Sequence, residues 1–260
     1  MAGGRVLVER DGAIATITLS SPGRLNALDK SMWAQLGAAI AELGADEALR
    51  CIVLRGDGDK AFAAGADIAE FMNERANSAQ AKAYSRGGIG WMRAVAECRH
   101  PTVALIQGAC VGGGLLIASQ CDLRICNESA RFGVPVKNLG LTESYDELQA
   151  MMRVIGPAAS LEILLEGRIW GAREAYDKGL VSRVVADDKV IEEAYAAARR
   201  VAEGAPLVAR WHKKFVRRLL DPQPLTDEER DEGYACFDTE DFRTGVAAFL
   251  AKSKAGFKGR

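Results

Sequence analysis

The sequence predicts an α/β protein that ends in a purely helical region. Two features of the 260 residues predict this class. Up to residue 187, short apolar or β-branched runs alternate with segments of helical periodicity, as in a sheet whose strands are joined by crossover helices. From residue 188 onward only helical periodicity remains. We therefore divide the chain into an α/β core, residues 1–187, and a C-terminal helical region, residues 188–260.

The predicted strands are short apolar or β-branched runs that end at turn residues. Asp11 and Gly12 form a two-residue hairpin signal between the first two strands, and a Ser-Pro-Gly turn at residues 21–23 ends the second. In order, the predicted strands are residues 5–10, 13–19, 51–54, 102–106, 123–126, 131–132 and 180–185.

The predicted helices carry apolar residues at three- and four-residue spacing. Asp29 is placed to cap the first helix, and Gly44 closes it. In order, the predicted helices are residues 30–43, 78–97, 115–119, 160–165, 173–178, 190–203, 206–220, 227–237 and 242–252. The last helix has an apolar stripe, formed by Phe242, Val246, Phe249 and Leu250, that a 260-residue monomer would struggle to cover. This stripe predicts a homo-oligomer.

A glycine-rich turn interrupts the apolar stretch between residues 101 and 122. Gly108 and the three glycines 112–114 separate a predicted strand from a predicted helix. Such a turn lets the backbone approach a ligand closely, and the first turn of the helix offers N–H groups without partners. The segment is therefore a candidate site for an anion. The alternative is that the glycines only let the helix pack tightly against the strand.

A second loop of small residues has the same setting. Residues 60–71, KAFAAGADIAEF, follow the strand 51–54 and precede a helix. Two such loops can converge on one point and aim two backbone N–H groups at one oxygen. Donors arranged in this way stabilise an enolate or tetrahedral oxyanion, each by roughly 3 kcal/mol in the transition state.

Six motifs in this order resemble the enoyl-CoA hydratase/isomerase (crotonase) superfamily over nearly the whole chain. They are SPGRLNALD (21–29), FAAGADI (62–68), IQGACVGGG (106–114), CDLRIC with ARFGVP (121–135), GPAASLEILLEGRIWGAREAYDKGLVSRVV (156–185) and EDFRTGVAAFLAKSKAGFKG near the end. The resemblance implies a crotonase-like spiral of ββα turns. It also implies an acyl-CoA thioester substrate, oxyanion donors at Ala66 and Gly113, and a helical region that covers the active site and forms a trimer or a dimer of trimers.

The resemblance also implies residues that bind the coenzyme A part of the substrate, with no separate cofactor. The implied contacts are Arg24, Ala27, Ala64, Asp67, Ile68, Gly112 and Lys252. The alternative for Arg24 and Lys252 is that each is a solvated surface cation. Trp91, Met92 and Trp170 either line the acyl pocket or pack the core.

The chain departs from the superfamily at the acid–base positions. Hydratases of the superfamily carry one glutamate two residues after the triple glycine and another directly after the proline of the FGxP motif. Leu116 and Val136 occupy these positions here. Neither side chain can transfer a proton, and each such group is normally worth about 10² to 10⁴ in rate. Ordinary hydration by two glutamates is therefore not expected.

Other carboxylates follow the FGVP motif, in the segment LGLTESYD of residues 139–146. Ser144 and Glu147 form a capping-box pattern, so Glu147 is expected to cap a helix. Some isomerases of the superfamily place a catalytic glutamate within one residue of Glu143, which makes Glu143 the first catalytic candidate, ahead of Asp146 and Tyr145. We expect the start of the helix to hold Glu143 ionised as a base. The alternative is an exposed carboxylate at a helix start.

Composition limits the remaining possibilities. A net charge of −1 argues against a nucleic-acid or membrane-surface partner. No run of 18 apolar residues and no signal peptide are evident, so a cytoplasmic protein is expected. The six cysteines include no CxxC pair. We therefore expect them to be reduced residues that pack the core, rather than metal ligands or disulfides. Two functions remain: an acyl-CoA enzyme performing isomerisation, decarboxylation, hydrolysis or atypical hydration, and a catalytically degenerate acyl-CoA-binding or scaffold protein.

Overall fold

The computed structural model describes residues 3–260, apart from the side chains of residues 86–89. Its strands form two sheets, one of six strands in the order β1-β2-β3-β5-β7-β10 and one of four in the order β4-β6-β8-β9. The strands are β1 (Arg5–Asp11), β2 (Ile14–Ser20), β3 (Cys51–Gly56), β4 (Ala61–Ala63), β5 (Thr102–Ile106), β6 (Ala109–Val111), β7 (Leu123–Asn127), β8 (Arg131–Gly133), β9 (Trp170–Gly171) and β10 (Arg183–Val185).

Ten α-helices connect and cover these sheets within the described residues. They are α1 (Lys30–Ala45), α2 (Phe71–Glu74), α3 (Ser78–Glu97), α4 (Gly113–Gln120), α5 (Tyr145–Glu166), α6 (Ala172–Asp177), α7 (Val190–Glu203), α8 (Pro206–Arg218), α9 (Asp227–Glu232) and α10 (Glu240–Leu250). Short 3-10 turns cover Ile68–Glu70, Val136–Leu139 and Ala235–Asp238.

The sheets repeat one unit three times. A strand of the large sheet is followed at once by a short strand of the small sheet and then by helix: β3 and β4 precede α2 and α3, β5 and β6 precede α4, and β7 and β8 precede α5. Strands β3, β5 and β7 pair in parallel, as do β4, β6 and β8. The predicted spiral of ββα turns is therefore present. Because parallel strands share one direction, the loops after β4 and β6 leave the same edge of the small sheet.

Strands give way to helices at the predicted boundary near residue 187, but the apolar core continues across it. Helix α7 lies on the large sheet, where its buried Val190, Ala194, Ala197 and Ala198 join one apolar cluster with residues of β3 and β5. Alanines at these positions let the helix approach the strands closely. Residues beyond α7 are more exposed, and the predicted stripe of α10 includes Phe249 and Leu250, 83% and 76% exposed.

Three predicted elements differ from the observed ones. The helix predicted at 160–165 is the second part of α5, which begins at Tyr145. The strand predicted at 180–185 pairs only over Arg183–Val185, because it meets β7 only there. The helix predicted at 227–237 divides into α9 and a 3-10 turn.

Helix α5 is long and apolar enough to cross a membrane, with a mean hydropathy of 1.3. The sequence has no uninterrupted run of 18 apolar residues, so this helix was not predicted as a candidate span. Gly156 divides it, with φ 70° and ψ 173°, and Pro157 follows. A positive φ of this kind cannot continue an α-helix. Each part is therefore close to half the length of about 20 residues that a span requires.

Candidate active site

One cavity of about 540 Å³ opens between the two glycine-containing loops and the start of α5. Its lining combines backbone of the loops, apolar side chains and a small set of ionisable groups. The sequence-predicted residues that line it are Ala64, Ala66, Ile68, Gly112, Gly113, Leu116, Val136 and Glu143. Trp91 and Met92 line the cavity as well, and both are also buried in the core. These two residues therefore do both of the things that the sequence left as alternatives: they line a pocket and they pack the core.

The two loops touch at Gly65 and Gly113. An ideal Cβ on Gly113 would lie 3.6 Å from Ala66 N, and one on Gly65 would lie 3.3 Å from Gly113 N. Gly65 also has φ +100°, a conformation that L side chains rarely adopt. A Cβ on Gly114 would overlap the Ala63 carbonyl. The glycines therefore allow close packing and bring the two predicted donor amides to one point.

The segment before α1 holds the first loop in place. Leu28 N donates to Gly65 O at 2.8 Å, and Asp67 N donates to Leu28 O at 2.9 Å. Leu25 and Asn26 both adopt positive φ values, 50° and 57°. The buried Asn26 amide donates to Ala61 O at 2.8 Å, which ties this turn to the start of β4. The SPGRLNALD motif thus acts as a support for the second motif, a role that its sequence alone does not reveal.

The amides of Ala66 and Gly113 have no backbone acceptor among the described residues. In the parallel pairing of Leu28 with Ala66, the N–H groups of Leu28 and Asp67 make the bonds, so Ala66 N–H points away from that segment. Gly113 is the first residue of α4, where N–H groups lack intrahelical partners. Gly112 N differs, since it donates to Gly133 O at 2.8 Å. Oxyanion binding by Ala66 and Gly113 stays a prediction.

Apolar side chains occupy the two positions to which the resemblance assigns the hydratase glutamates. Leu116 is 2% exposed in α4, and Val136 packs against the main apolar core at the start of a 3-10 turn. Both line the cavity. This wall of the cavity therefore offers no proton donor or acceptor at either position.

Two neighbouring carboxyl groups line the cavity at the start of α5. Ser144 and Glu147 form the predicted capping box, in which Ser144 N donates to Glu147 Oε2 at 2.7 Å. Glu143, just before the cap, is hydrogen-bonded to the Glu147 side chain. Desolvation in the cavity, followed by the neighbouring Glu147 charge, raises the pKa of Glu143 to about 8, although Arg75 acts in the opposite direction. The direction of this shift is opposite to the one expected from the start of the helix, which favours the ionised form.

Arg75 is a lining residue that the sequence did not single out. It follows α2, and its guanidinium carbon lies 3.7 Å from the centre of the Tyr84 ring and 4.6 Å from that of Phe71. All three residues line the cavity. The only signal in the sequence is a cation shortly before a predicted helix, which is common on protein surfaces.

The remaining predicted site residues lie outside the cavity lining. Asp146 and Tyr145 are exposed on the first turn of α5, so the structure gives no support for proton transfer by either. Arg24 pairs with Asp67 at the surface. Lys252 follows α10 with φ 50°, and Ala27 lies in the turn before α1. Coenzyme A binding by Arg24, Ala27, Ala64, Asp67, Ile68, Gly112 and Lys252 stays a prediction.

The tryptophan and histidine side chains described next differ in whether they line the cavity. Trp33 lines it and stacks on Trp91, with ring centres 4.5 Å apart. Trp170 is fully buried in the core and does not line it. His100 is buried elsewhere, and burial lowers its pKa to about 4. Within the described residues, the carboxyl pair is therefore the only group in the cavity suited to proton transfer near neutral pH.

Comparisons with known proteins agree with this architecture. Residues 9–260 match the sequence model of a family described as enoyl-CoA hydratase/isomerase. The chain is 40% identical over 258 residues to a probable enoyl-CoA hydratase of Rhizobium meliloti, and 31% identical over 258 residues to a short-chain-enoyl-CoA hydratase of Clostridium acetobutylicum, with 98% of both chains covered in each case. A crystal structure of an enoyl-CoA hydratase/carnithine racemase from Magnetospirillum magneticum is similar with TM-score 0.97 and 49% identity, covering 98% of this chain and 96% of that one.

Proposed function

This chain belongs to the enoyl-CoA hydratase/isomerase family and is an acyl-CoA-processing enzyme, and from that premise we propose that it shifts the double bond of an enoyl-CoA by proton transfer. The observation that carries the proposal is the content of the cavity. It contains a hydrogen-bonded carboxyl pair, Glu143 and Glu147, together with apolar Leu116 and Val136 at the positions to which the resemblance assigns the hydratase glutamates. Two carboxyls that share a proton act as one acid–base unit, which suits the removal and return of one proton.

The proposed reaction uses the two loops and the pair together. The thioester oxygen accepts hydrogen bonds from Ala66 N–H and Gly113 N–H. The ionised Glu143 takes a proton from C2 of a 3-enoyl thioester, and the electron pair moves into the thioester as an enolate. Glu143 then returns the proton to C4, which leaves a conjugated 2-enoyl thioester with no change in mass. Each amide contributes roughly 3 kcal/mol to the stability of the enolate-like transition state.

The raised pKa of Glu143 suits this task. A carbon acid next to a thioester is weak, so a stronger base accelerates its deprotonation, and a catalytic pKa near the working pH serves both the base and the acid step. With a pKa of about 8, about a tenth of Glu143 is ionised at pH 7. Glu147 keeps the pair oriented, because one of its oxygens is held by Ser144 N.

A second candidate is hydration in which Glu143 and Glu147 together replace the two missing glutamates. The names of the relatives, which describe them as hydratases, favour this candidate. The hydrogen bond between the two carboxyls disfavours it, because a hydratase needs its carboxyls separated by the attacking water. A degenerate scaffold has less support than either, since a scaffold has no need of a carboxyl with a perturbed pKa inside a cavity.

Incubation with matched substrates separates these candidates. The purified protein is given 3-pentenoyl-CoA and 2-pentenoyl-CoA in separate reactions, and the products are analysed by mass spectrometry. We expect the 3-enoyl thioester to become the 2-enoyl thioester at unchanged mass. We expect addition of water to be at least about 100-fold slower than isomerisation, given what two proton-transfer groups contribute. Rapid gain of one water by 2-pentenoyl-CoA, with slow isomerisation, would favour the second candidate instead.

A further inference from the structure

Arg75 carries a charge in the cavity that no carboxylate of the described residues neutralises. No Asp or Glu oxygen lies within 4.0 Å of its guanidinium nitrogens among those residues. The neighbouring Glu74 pairs with Lys30 at 2.7 Å, and Asp67 pairs with Arg24. These two acids are therefore engaged with other cations. A partly buried charge without a partner is unfavourable, which makes a bound anion a favourable partner for it.

Aromatic rings hold this guanidinium in place. It stacks on Tyr84 at 3.7 Å and lies 4.6 Å from the centre of Phe71. Stacking on ring faces fixes the plane of an arginine and leaves the N–H groups at its edge free to donate. Two parallel N–H groups of this kind match a carboxylate in a bidentate arrangement. The side chain is thus oriented in advance for an anion.

The position of Arg75 relates it to the acyl part of a substrate. Arg75 and Glu143 both line the cavity, and the Arg75 charge acts on the Glu143 carboxyl. The amides of Ala66 and Gly113, where the thioester carbonyl is proposed to bind, belong to the two loops that line the same cavity. Glu147 does not satisfy Arg75, because the Glu147 carboxyl is hydrogen-bonded to Ser144 N and to Glu143.

We propose that Arg75 binds a carboxylate at the far end of the acyl chain, so that the substrate is the coenzyme A thioester of a dicarboxylic acid. The inference rests on the proposed function, because it uses the same cavity and the same position for the thioester. Arg75 acts as a specificity residue and takes no part in proton transfer. The same guanidinium chemistry would also fit a phosphate of coenzyme A. The binding of free coenzyme A distinguishes a phosphate ligand from a carboxylate at the end of the acyl chain.

Binding of matched ligands tests the proposal. Isothermal titration calorimetry compares free coenzyme A, glutaryl-CoA, adipoyl-CoA and the neutral terminal amides of these two thioesters. Each amide keeps the shape of its carboxylate and removes the charge. We expect the wild type to bind at least one carboxylate about tenfold or more tightly than its amide, as a charge-assisted hydrogen bond at a partly buried site provides.

Three variants show whether Arg75 is responsible. Arg75→Gln is expected to abolish the preference for the carboxylate while binding free coenzyme A as the wild type does. Arg75→Lys is expected to keep part of the preference, since it keeps the charge and loses the planar pair of donors. Arg93→Gln is the matched control, because Arg93 lies on α3, is exposed and pairs with Glu97 outside the cavity. Circular dichroism checks that each variant is folded.

Two results would overturn the proposal. One is a wild type that binds neither carboxylate more tightly than its amide. The other is an Arg75→Gln variant that weakens free coenzyme A as much as the thioesters, which would assign Arg75 to the coenzyme A part. A wild type that binds no coenzyme A ligand at all would refute the proposed function, and this inference with it.

Discussion

Replacement of Glu143 by Gln tests the proposed chemistry most directly. Gln keeps the size of the side chain and cannot accept a proton from carbon. Loss of a general base lowers the rate by about 10² to 10⁴. We therefore expect kcat for isomerisation of 3-pentenoyl-CoA to fall at least about 100-fold, with little change in KM because the amides of the two loops are untouched. The formation of the conjugated thioester is followed by ultraviolet absorbance.

The pH dependence of the wild type provides a second measurement. Only ionised Glu143 acts as a base, and its pKa is about 8. We therefore expect kcat/KM to rise about tenfold per pH unit below that value and to level off above it. Glu147→Gln removes the neighbouring charge that raises the pKa of Glu143, so the midpoint should move to lower pH. Arg75→Gln removes a charge that lowers it, so the midpoint should move to higher pH.

Stability gives a readout that needs no substrate. The Glu143 carboxyl titrates near 4.5 when unperturbed and near 8 in the fold. Because the folded state favours the neutral form, the stability that this group contributes is fully present below pH 4.5 and is lost as the pH rises towards 8. Gln stays neutral throughout. Glu143→Gln should therefore be more stable than the wild type in urea at pH 8.5, and the difference should disappear at pH 4.

Asp146→Asn is the matched control, since Asp146 lies three residues away on α5 and outside the cavity lining. It should leave the rate, the pH profile and the stability close to those of the wild type. The reasoning would be refuted by an isomerase whose rate does not change between pH 6 and 9 and which keeps its activity in Glu143→Gln. It would also be refuted if Asp146→Asn alone removed the activity.

Two further predictions concern the loops and the surface. Gly113→Pro and Ala66→Pro each remove one donor amide, and each should lower kcat by about 10² to 10³. Circular dichroism should show that both variants remain folded. An unchanged kcat in both variants would exclude the proposed oxyanion site. The wild type should sediment as a trimer or a dimer of trimers. Phe249→Asp puts a charge on the exposed stripe of α10 and should shift the protein towards the monomer. A monomeric wild type at micromolar concentration would contradict this prediction.

The order of strands and helices could be predicted from the sequence because its causes are local. A hairpin signal at Asp11-Gly12, a cap at Asp29 and the capping box of Ser144 and Glu147 each depend on residues within one turn of each other. The boundaries that were missed depend on contacts distant in sequence. Strand β10 extends only as far as its pairing with β7. The capping box marks the start of α5, but the sequence did not show that one helix, divided at Gly156, continues from there through the separately predicted residues 160–165.

The candidate site divides in the same way. The sequence by itself determined that positions 116 and 136, to which the resemblance assigns the hydratase glutamates, hold Leu and Val, since the identity of a side chain needs no folding to establish. It also indicated that each of the two glycine-containing loops follows a strand and precedes a helix, whereas the pairing of those strands side by side is seen only in the structure. Only the tertiary structure decided the upward direction of the Glu143 pKa shift and the lack of a carboxylate oxygen within 4.0 Å of Arg75 among the described residues. Both depend on the solvent excluded and the charges assembled where α2, α3 and α5 line one cavity.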